Sequence, residues 1–465
     1  MKTQQSYAEN DVAKSGFANS VNGMVCDLNR SDPLIMHIDL NSCFAIMEQQ
    51  ANRLLRGRPV GVAAYDSPRG FVLAASYEAK AKGIKLGVNC KEAQQMCPGI
   101  VILTPDPAKY REAHHRFKRV MESFSSDVEA KSIDEFILDL SGSPAIRAGL
   151  TPTEIGLEIK QKIAEQIGEA VTVNVGIGTN RFLAKYAAGF GKPDGMTQID
   201  HTNLVEKFTN MDLVDLPGIN VRYRRRLRSA GISNPLEFLK ADERTLKKIV
   251  FKSVVGSYWY QRLRGWEVDK RNFSRKTIGH QYALKQKTAD KQELEKLLMK
   301  LCEKVGRRLR RKGYYAHGIH LYLGFEQFKD GLPKEVAERY GYGKHNVAAG
   351  FETTPYLKSW HEGRKLSCRL YSSRDVFTAA KQLLHLADIP ANVKIMSVNV
   401  YDIRPWSPEQ TNLFEDQRDL SSNKKLSDAI DQINNRYGEF KITPATMADM
   451  QGTILDRVAF GNTDF

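Results

Sequence analysis

The order of strand and helix signals in the first 180 residues constrains the fold more than any other feature of the chain. The apolar run LIMHIDL at 34–40 predicts a buried strand that ends at Asp39, and residues 44–56 have a helical pattern. A second helix is predicted from Lys109 to about Phe124. A strand pair is predicted around KSIDEFILDL, where the alternation of apolar and polar residues breaks at Asp134 and Glu135.

Two further signals complete this order. Residues 151–168 begin with a Thr/Pro cap and carry apolar residues at i, i+3 and i+4, which predicts an amphipathic helix. VTVNVGIG at 171–178 is the clearest strand signal in the chain. A strand, a helix, a strand pair, a helix and a strand in succession predict a ferredoxin-like α+β sheet with an insertion after the first helix.

The rest of the chain predicts further domains, since 465 residues are too many for one core. Residues 211–275 have helical, Arg-rich patterns. Residues 276–405 combine strand signals with a long basic helix, which predicts a second α+β domain. The last sixty residues are polar and contain one helical stretch near 425–436. The fold class we expect is therefore α+β and multidomain.

The charge distribution predicts a polyanionic partner. The net charge is +15, with a pI near 9.3. The excess arginines form two clusters far apart in sequence, one at residues 222–228 and the other at 307–312. A long ligand held by more than one domain fits this distribution better than a small acidic substrate does, and nucleic acid is such a ligand.

Other features indicate a soluble, cytoplasmic protein. The first thirty residues are polar and lack the apolar core of a signal peptide. No apolar stretch in the sequence is long enough to span a bilayer. The six cysteines lack the close pairing that structural zinc requires, so we expect reduced thiols.

Three carboxylates are the candidate catalytic groups. Asp39 ends a predicted buried strand, and Asp134 and Glu135 lie where a strand pair turns. Acids beside apolar runs are unfavourable unless they are compensated, and a pair of Mg²⁺ ions would compensate them while keeping coordination sites for phosphate. Taken singly, each acid could equally cap a helix or pair with a surface lysine.

Four segments in this order resemble the Y family of DNA polymerases. They are HIDLNSCFAIMEQQ, ASYEAKAKGIKLG, KSIDEFILDL and VNVGIGTNRFLAKYAAGFGKPDG. The resemblance extends from about residue 34 to 405 and is closer to the UmuC branch than to the DinB branch. It implies a DNA-directed DNA polymerase that adds dNTPs to a primer 3′ end with low fidelity and copies past damaged bases.

The resemblance assigns roles to individual residues of the palm. Asp39, Asp134 and Glu135 match the metal-binding acids, and Leu40 matches the residue whose carbonyl also binds metal. The implied cofactor is a pair of Mg²⁺ ions, for which Mn²⁺ can substitute. Phe44 matches the steric gate, an aromatic ring that lies under the incoming sugar and collides with a ribose 2′-hydroxyl. The alternative for Phe44 is an ordinary core aromatic at the start of a helix.

Triphosphate contacts are implied for five residues. Cys43 and Phe44 would offer backbone N–H groups at a helix N-terminus. Tyr77, Lys80 and Lys192 match residues that contact the phosphates, and Lys80 stands where many relatives carry Arg. Without the flanking motifs, both lysines would be interpreted as solvated surface residues.

LPGINVRYRRRLRSAGI at 216–232 resembles the helix-hairpin-helix of the polymerase thumb. Gly218, Arg222, Arg224 and Arg225 are its candidate DNA-binding residues. Asn220 replaces the usual second glycine, and we expect it to tolerate the positive φ of that turn. The alternative is a solvated basic helix face.

QTNLF fits the Q-x-x-LF pattern by which bacterial polymerases bind the sliding clamp. Leu413 and Phe414 would enter an apolar pocket of the clamp while Gln410 makes polar contacts. The alternative is a local packing cluster.

Together the motifs imply the following division: a flexible leader at 1–33, a palm at 34–45 and 106–210, fingers at 46–105, a thumb at 211–275, a little finger at 276–405 and a clamp-binding tail at 406–465.

The implied partners are primer-template DNA, dNTP substrates and the sliding clamp, with a recombinase filament or an accessory subunit as further candidates and no membrane. Two other interpretations remain open at this point. One is a catalytically inactive relative that binds the clamp and recruits partners. The other is a palm-fold enzyme of another kind, such as a nucleotide cyclase, which would need neither a basic hairpin nor a clamp motif.

Overall fold

A computed structural model describes residues 27–65, 67–68, 70–270, 275–326, 359–406, 417–450 and 453–454. Within these ranges the chain forms two compact units, one up to residue 270 and one from residue 275. No helix in the described ranges is both long and apolar enough to cross a membrane. The five cysteines described are free thiols.

The strands, in chain order, are β1 (Ile35–Leu40), β2 (Val60–Ala63), β3 (Val72–Ala75), β4 (Val101–Leu103), β5 (Asp127–Ala130), β6 (Glu135–Asp139), β7 (Val173–Gly178), β8 (Met196–Ile199), β9 (Thr277–Thr288), β10 (Tyr314–Phe325), β11 (Ser359–Leu370) and β12 (Val393–Pro405). They form three sheets, with the orders β5-β6-β1-β7-β8, β3-β2-β4 and β11-β10-β12-β9.

The α-helices are α1 (Cys43–Ala51), α2 (Tyr77–Ala81), α3 (Cys90–Met96), α4 (Pro107–Glu122), α5 (Pro144–Arg147), α6 (Pro152–Gln166), α7 (Arg181–Ala187), α8 (Leu204–Phe208), α9 (Val221–Ser229), α10 (Pro235–Lys240), α11 (Glu243–Thr245), α12 (Val255–Leu263), α13 (Lys291–Arg311), α14 (Ser373–Leu386) and α15 (Gln417–Tyr437). Short 3₁₀ turns lie at Arg53–Leu55, Leu213–Asp215 and Ala445–Met447, and a π-helical turn at Leu246–Val250.

The five-stranded sheet confirms the ferredoxin-like prediction. β1 lies between β6 and β7 and is antiparallel to both, and β5 pairs antiparallel with β6. This is the strand order that the βαββαβ sequence of signals predicts. β8 adds a fifth strand parallel to β7, which the sequence patterns did not indicate.

The core of this sheet is made by alternate apolar residues of β1, β6 and β7 and by the apolar faces of α1, α4 and α6. Helix α6 begins where the sequence predicts, because Thr151 and Glu154 form a reciprocal capping box. Helix α1 is shorter than predicted: it ends at Ala51, and a 3₁₀ turn follows.

The second unit is a four-stranded antiparallel sheet with α13 and α14 packed on it. These elements confirm the α+β character predicted for residues 276–405. The C-terminal helix α15 is longer than the predicted 425–436 stretch and belongs to this unit. Arg310 of α13 donates two hydrogen bonds to Asp431, at 2.7 and 2.9 Å.

Candidate active site

The sheet register brings two of the three predicted acids together. Asp39 at the end of β1 lies directly opposite Glu135 at the start of β6. Side chains at opposed positions of an antiparallel pair lie on the same face, with their Cβ atoms roughly 5 Å apart. Two residues almost a hundred positions apart in sequence therefore share one edge of the sheet.

The third acid, Asp134, lies just before β6, in the bend that follows β5. Its carbonyl accepts a 2.9 Å hydrogen bond from the Leu40 amide, which holds the bend against the end of β1. Burial raises the pKa of the Asp134 carboxyl, and the charges of Asp39 and Glu135 raise it further, while a hydrogen bond from Ser132 acts in the opposite direction. The Asp134 carboxyl therefore interacts with the charges of both other acids.

Two lysines neutralise the acids of the sheet edge. Lys192 forms an ion pair with Asp39, and Lys185 donates to both oxygens of Glu135, at 2.8 and 2.7 Å. Burial opposes ionisation of Glu135, but the hydrogen bond from Lys185 and the nearby positive charges outweigh it and hold the pKa of Glu135 below its ordinary value.

Helix α7 places Lys185 by packing tightly on β7. A Cβ atom at Gly176 would lie 2.0 Å from the carbonyl oxygen of Ala184, and one at Gly178 would lie 2.6 Å from the Ala184 amide. Only glycine allows this approach, so the two glycines of β7 set the distance at which Lys185 reaches Glu135. Sequence reasoning missed Lys185, although a lone lysine in the apolar run RFLAKYAA was a usable signal.

Asn174 positions the segment that carries Lys192. It lies opposite Asp39 in the register of β1 and β7 and is fully buried. Its amide donates to the Phe190 carbonyl at 2.7 Å, and its carbonyl accepts from the Gly195 amide at 3.1 Å. Both ends of the loop around Lys192 are thereby fixed to β7. The sequence gives no local signal for this role.

Helices α1 and α2 bring the predicted triphosphate-contacting residues to the same place. The Tyr77 hydroxyl donates to the Asn41 side chain at 3.0 Å, and Lys80 Nζ donates to Ser42 Oγ at 2.7 Å and lies over the Tyr77 ring. Burial lowers the pKa of Lys80, as does the charge of Lys192. The two lysines are therefore close enough to repel each other, and they create a positive field beside the acids.

The N-terminus of α1 lies next to Lys80, which donates to its N-cap residue Ser42. Ser42, at its N-cap, adopts a left-handed conformation and makes no side-chain capping bond to the helix. The amides of Cys43 and Phe44 belong to the first turn, which has no intrahelical acceptors. The Phe44 ring is buried, with 1% of its surface exposed, and stacks on Tyr110. This position fits a core aromatic, and it also lies at the start of the helix that borders the acids.

Divalent metal binding is compatible with the donor types at this site. As the side chains stand, no three His, Cys, Asp or Glu residues in the described ranges converge closely enough to hold an ion. Asp39 and Glu135 are instead engaged by lysines. Oxygen donors that share a sheet edge, beside a carboxyl whose pKa is raised by burial and then by the neighbouring charges, form a set that a hard cation would stabilise.

The predicted DNA-binding hairpin precedes α9. Gly218 has a φ of 92°, which glycine adopts without strain. The expectation that Asn220 takes a positive φ is wrong: its φ is −98°, and its side chain caps α9 by accepting from the Arg222 and Tyr223 amides. Asparagine is favoured there as an N-cap residue.

Helix α9 presents several arginines to solvent. Arg222 and Arg225 are exposed, whereas Arg224 is partly buried and pairs with Asp212 at 3.4 Å. The charge of Arg224 is therefore partly neutralised by Asp212. The predicted clamp motif, with Gln410, Leu413 and Phe414, lies outside the described residues, as do most of the leader at 1–33 and residues 327–358.

Comparison with known proteins identifies the family. The model of the impB/mucB/samB family matches residues 38–189, and that of its C-terminal domain matches 275–413. The DNA polymerase IV of Moorella thermoacetica is 33% identical over 417 residues, which cover 88% of this chain and 94% of the relative. The DNA polymerase IV of Staphylococcus aureus strain Newman is 30% identical over 307 residues, 66% of this chain and 84% of the relative.

Solved structures show the same fold. A chimera of the Dbh and Dpo4 Y-family DNA polymerases aligns with a TM-score of 0.64 at 24% identity, covering 80% of this chain and 99% of the chimera. An insertion ternary complex of Dbh DNA polymerase aligns with a TM-score of 0.51. The assignment to the UmuC branch stays a prediction. Two family models and a relative matched over nearly its whole length place the chain in the impB/mucB/samB family, the Y family of DNA polymerases.

Proposed function

We propose that the chain is a template-directed DNA polymerase that adds dNTPs to a primer 3′ end, with low fidelity, and copies past damaged bases. Family membership supports the activity. The observation that carries the proposal at the level of residues is the opposition of Asp39 and Glu135 across β1 and β6, with Asp134 beside them. Nucleotidyl transfer needs such a group of acids beside cations that bind a triphosphate.

The acids would hold two Mg²⁺ ions, or Mn²⁺ in their place. Asp39, Asp134 and Glu135 supply the carboxylates, and the Leu40 carbonyl supplies a further oxygen. When bound, such ions lower the pKa of the primer 3′-hydroxyl and offset charge on the leaving pyrophosphate. The lysines that now engage Asp39 and Glu135 are half exposed or nearly so, and both can turn towards a phosphate instead.

The protein's own groups would bind and orient the triphosphate. Lys192 and Lys80 supply positive charge: Lys192 pairs with Asp39, and Lys80 donates a hydrogen bond to Ser42 at the start of α1. Tyr77 and the first-turn amides of α1 would donate hydrogen bonds to phosphate oxygens. Phe44 would lie under the sugar and exclude a 2′-hydroxyl.

The remaining elements would grip the DNA. We assign the five-stranded sheet to the palm, the β3-β2-β4 sheet to the fingers, α9–α12 to the thumb and the second sheet to the little finger. The turn at Gly218 followed by a capped, Arg-rich helix suits a phosphate contact. These substrates suggest that the enzyme acts in the cytoplasm.

A sliding clamp is the further partner we propose. The motif with Gln410, Leu413 and Phe414 follows Trp406 and precedes α15 in the sequence. Trp406 is tied to the second unit through its amide, which donates to the Gly313 carbonyl at 2.7 Å. A recombinase filament or an accessory subunit remains a candidate partner.

Primer extension tests the function. We expect the parent chain to extend a primer with Mg²⁺ and dNTPs, including across an abasic site, and Asp134→Ala to lose extension by at least about 10³-fold because the acids act together. Asp139→Asn is the control, since Asp139 ends the strand that Asp134 precedes but pairs with Lys270 at 3.0 Å. Equal extension by the parent and Asp134→Ala would refute the proposal.

The same assay tests the two rival functions. An inactive recruiting relative would show no extension by the parent; the presence of all three acids in one neighbourhood argues against it. A nucleotide cyclase would consume nucleotide without a primer.

A further inference from the structure

The Phe44 ring rests on a buried tyrosine from another helix. The rings of Phe44 in α1 and Tyr110 in α4 stack with their centroids 4.3 Å apart and their planes 13° from parallel. Both rings have 1% of their surface exposed. On that side, Phe44 can be displaced only if Tyr110 also moves.

A second contact on α1 holds Tyr110 in place. Its hydroxyl donates to Glu48 Oε1 at 2.8 Å, and Glu48 lies one helical turn after Phe44. Residues four apart lie on the same face of a helix. Tyr110 therefore spans one face of α1, stacked on Phe44 at one end and hydrogen-bonded to Glu48 at the other.

Glu48 is itself fixed from both sides. Its second oxygen accepts a 2.7 Å hydrogen bond from Lys109, the residue before Tyr110, and the Glu48 side chain is 11% exposed. Burial and the adjacent Glu48 raise the pKa of the Tyr110 phenol far above its ordinary value, so the hydroxyl stays a donor. A buried carboxylate with two donors resists displacement, because either broken bond would leave a buried polar group unpaired.

We propose that Tyr110 and Glu48 are positioning residues that fix the depth of the Phe44 ring and thereby set how strictly the polymerase rejects ribonucleotides. The inference rests on the proposed role of Phe44 as the gate. Steric selection requires a wall that does not yield when an extra hydroxyl presses on it. Close-packed interiors transmit such pressure to the atoms behind, and here those atoms are a ring held at both ends.

The test is the ratio of kcat/KM for a dNTP to that for the matching rNTP, measured on one primer-template. Phe44→Ala is the benchmark and should admit ribonucleotides. Glu48→Leu and Tyr110→Leu should each lower the ratio by about tenfold, since small changes in a pocket wall are worth factors of this order. Tyr110→Phe keeps the stack and loses only the hydrogen bond, so its ratio should fall by about threefold or more.

A purely structural role would lower both kcat/KM values together and leave their ratio unchanged. Glu112→Gln is the control on α4: it breaks an exposed ion pair with Arg116 and should keep the parent ratio. The inference is overturned if Glu48→Leu or Tyr110→Leu stays within threefold of the parent while Phe44→Ala lowers the ratio. If a leucine variant does not fold, Tyr110→Phe takes its place in the test, and a ratio within threefold of the parent again overturns the inference. A parent-like ratio in Phe44→Ala would instead remove Phe44 from the gate role.

Discussion

At the scale of single residues, His37 is a buried titratable side chain close to the acids of the sheet edge. It precedes Asp39 by two positions in β1 and is 1% exposed, and among the described residues its Nδ1 has no hydrogen-bond partner. Burial lowers the pKa of His37 to about 4, against the opposing charge of Glu135. The folded protein therefore keeps this imidazole neutral under conditions in which an unfolded chain would protonate it.

The sign of the resulting pH dependence follows. Above the unfolded pKa of about 6.5 the imidazole is neutral in both states and adds no penalty. As the pH falls towards 4, the unfolded chain binds a proton that the folded chain refuses, so the free energy of unfolding decreases, by up to about 3 kcal/mol.

We expect His37→Leu to reduce the loss of stability between pH 7.5 and 4.5 by about 2 kcal/mol relative to the parent. Urea unfolding at the two pH values measures this difference. The exposed His115→Gln is the control and should lose as much stability as the parent does. An equal loss in the parent and His37→Leu would show that burial of His37 is not the cause.

The residues found from sequence and those missed differ in one physical respect. Asp39, Asp134 and Glu135 stand out because acids beside apolar strand runs are unfavourable by themselves. Lys185 and Asn174 matter only because β7 lies next to β1, which local patterns do not encode. Asn220 was recognised as a turn residue, but its contribution is a cap rather than a positive φ.

At the scale of elements, the sequence patterns predict the long strands, whereas two short strands, β4 and β8, were missed. β1 and β7 have continuous apolar runs, whereas β8 and β4 have four and three residues and too little alternation to be recognised. α15 was predicted too short, since its first turns are polar and its apolar stripe is weak.

Helix α15 makes the polar C-terminal segment part of the second unit. The Arg310 side chain is 4% exposed and its charge is balanced by Asp431. Lys300 of α13 is also buried and donates to the carbonyls of Met450 and Thr453. The family match ends at residue 413, before these contacts begin.

We expect Asp431→Ala to destabilise the second unit by about 3 kcal/mol, because the buried Arg310 guanidinium loses the carboxylate that accepts two of its hydrogen bonds. Thermal unfolding measures the loss, and limited proteolysis should release the segment from residue 417 onward more readily. Lys296→Ala is the matched control. Its pair with Asp449 also joins α13 to this segment, but both side chains are more than half exposed, so the change should cost less than about 0.5 kcal/mol. Equal melting of Asp431→Ala and the parent would contradict this account.

At the scale of the whole molecule, the net charge of +15 predicts strongly salt-dependent DNA binding. Both units contribute arginines, and in the first unit Arg222 and Arg225 of α9 are exposed. Each side chain that neutralises a phosphate should add about 0.9 to the slope of log K against log salt.

We therefore expect the Arg222→Ala, Arg225→Ala double variant to bind primer-template DNA more weakly and with a slope smaller by about 2. Fluorescence anisotropy titrations at several salt concentrations provide the measurement. Arg116→Ala with Lys118→Ala removes the same charge from the exposed surface of α4, where both residues pair with glutamates, and should leave the slope unchanged. A slope that drops equally in both double variants would indicate a general charge effect instead of a contact by α9.

The pairing of β1 with β6 has a consequence for how this enzyme can change over evolutionary time. Because side chains alternate, a displacement of β1 by one residue would bring Ile38 to the sheet edge and turn the carboxylate of Asp39 into the hydrophobic interior. Insertions or deletions in this strand would thus disable chemistry and folding in a single event. New properties of this protein are consequently easier to evolve by changes in the loops and surface helices than by changes in β1, the strand that carries Asp39.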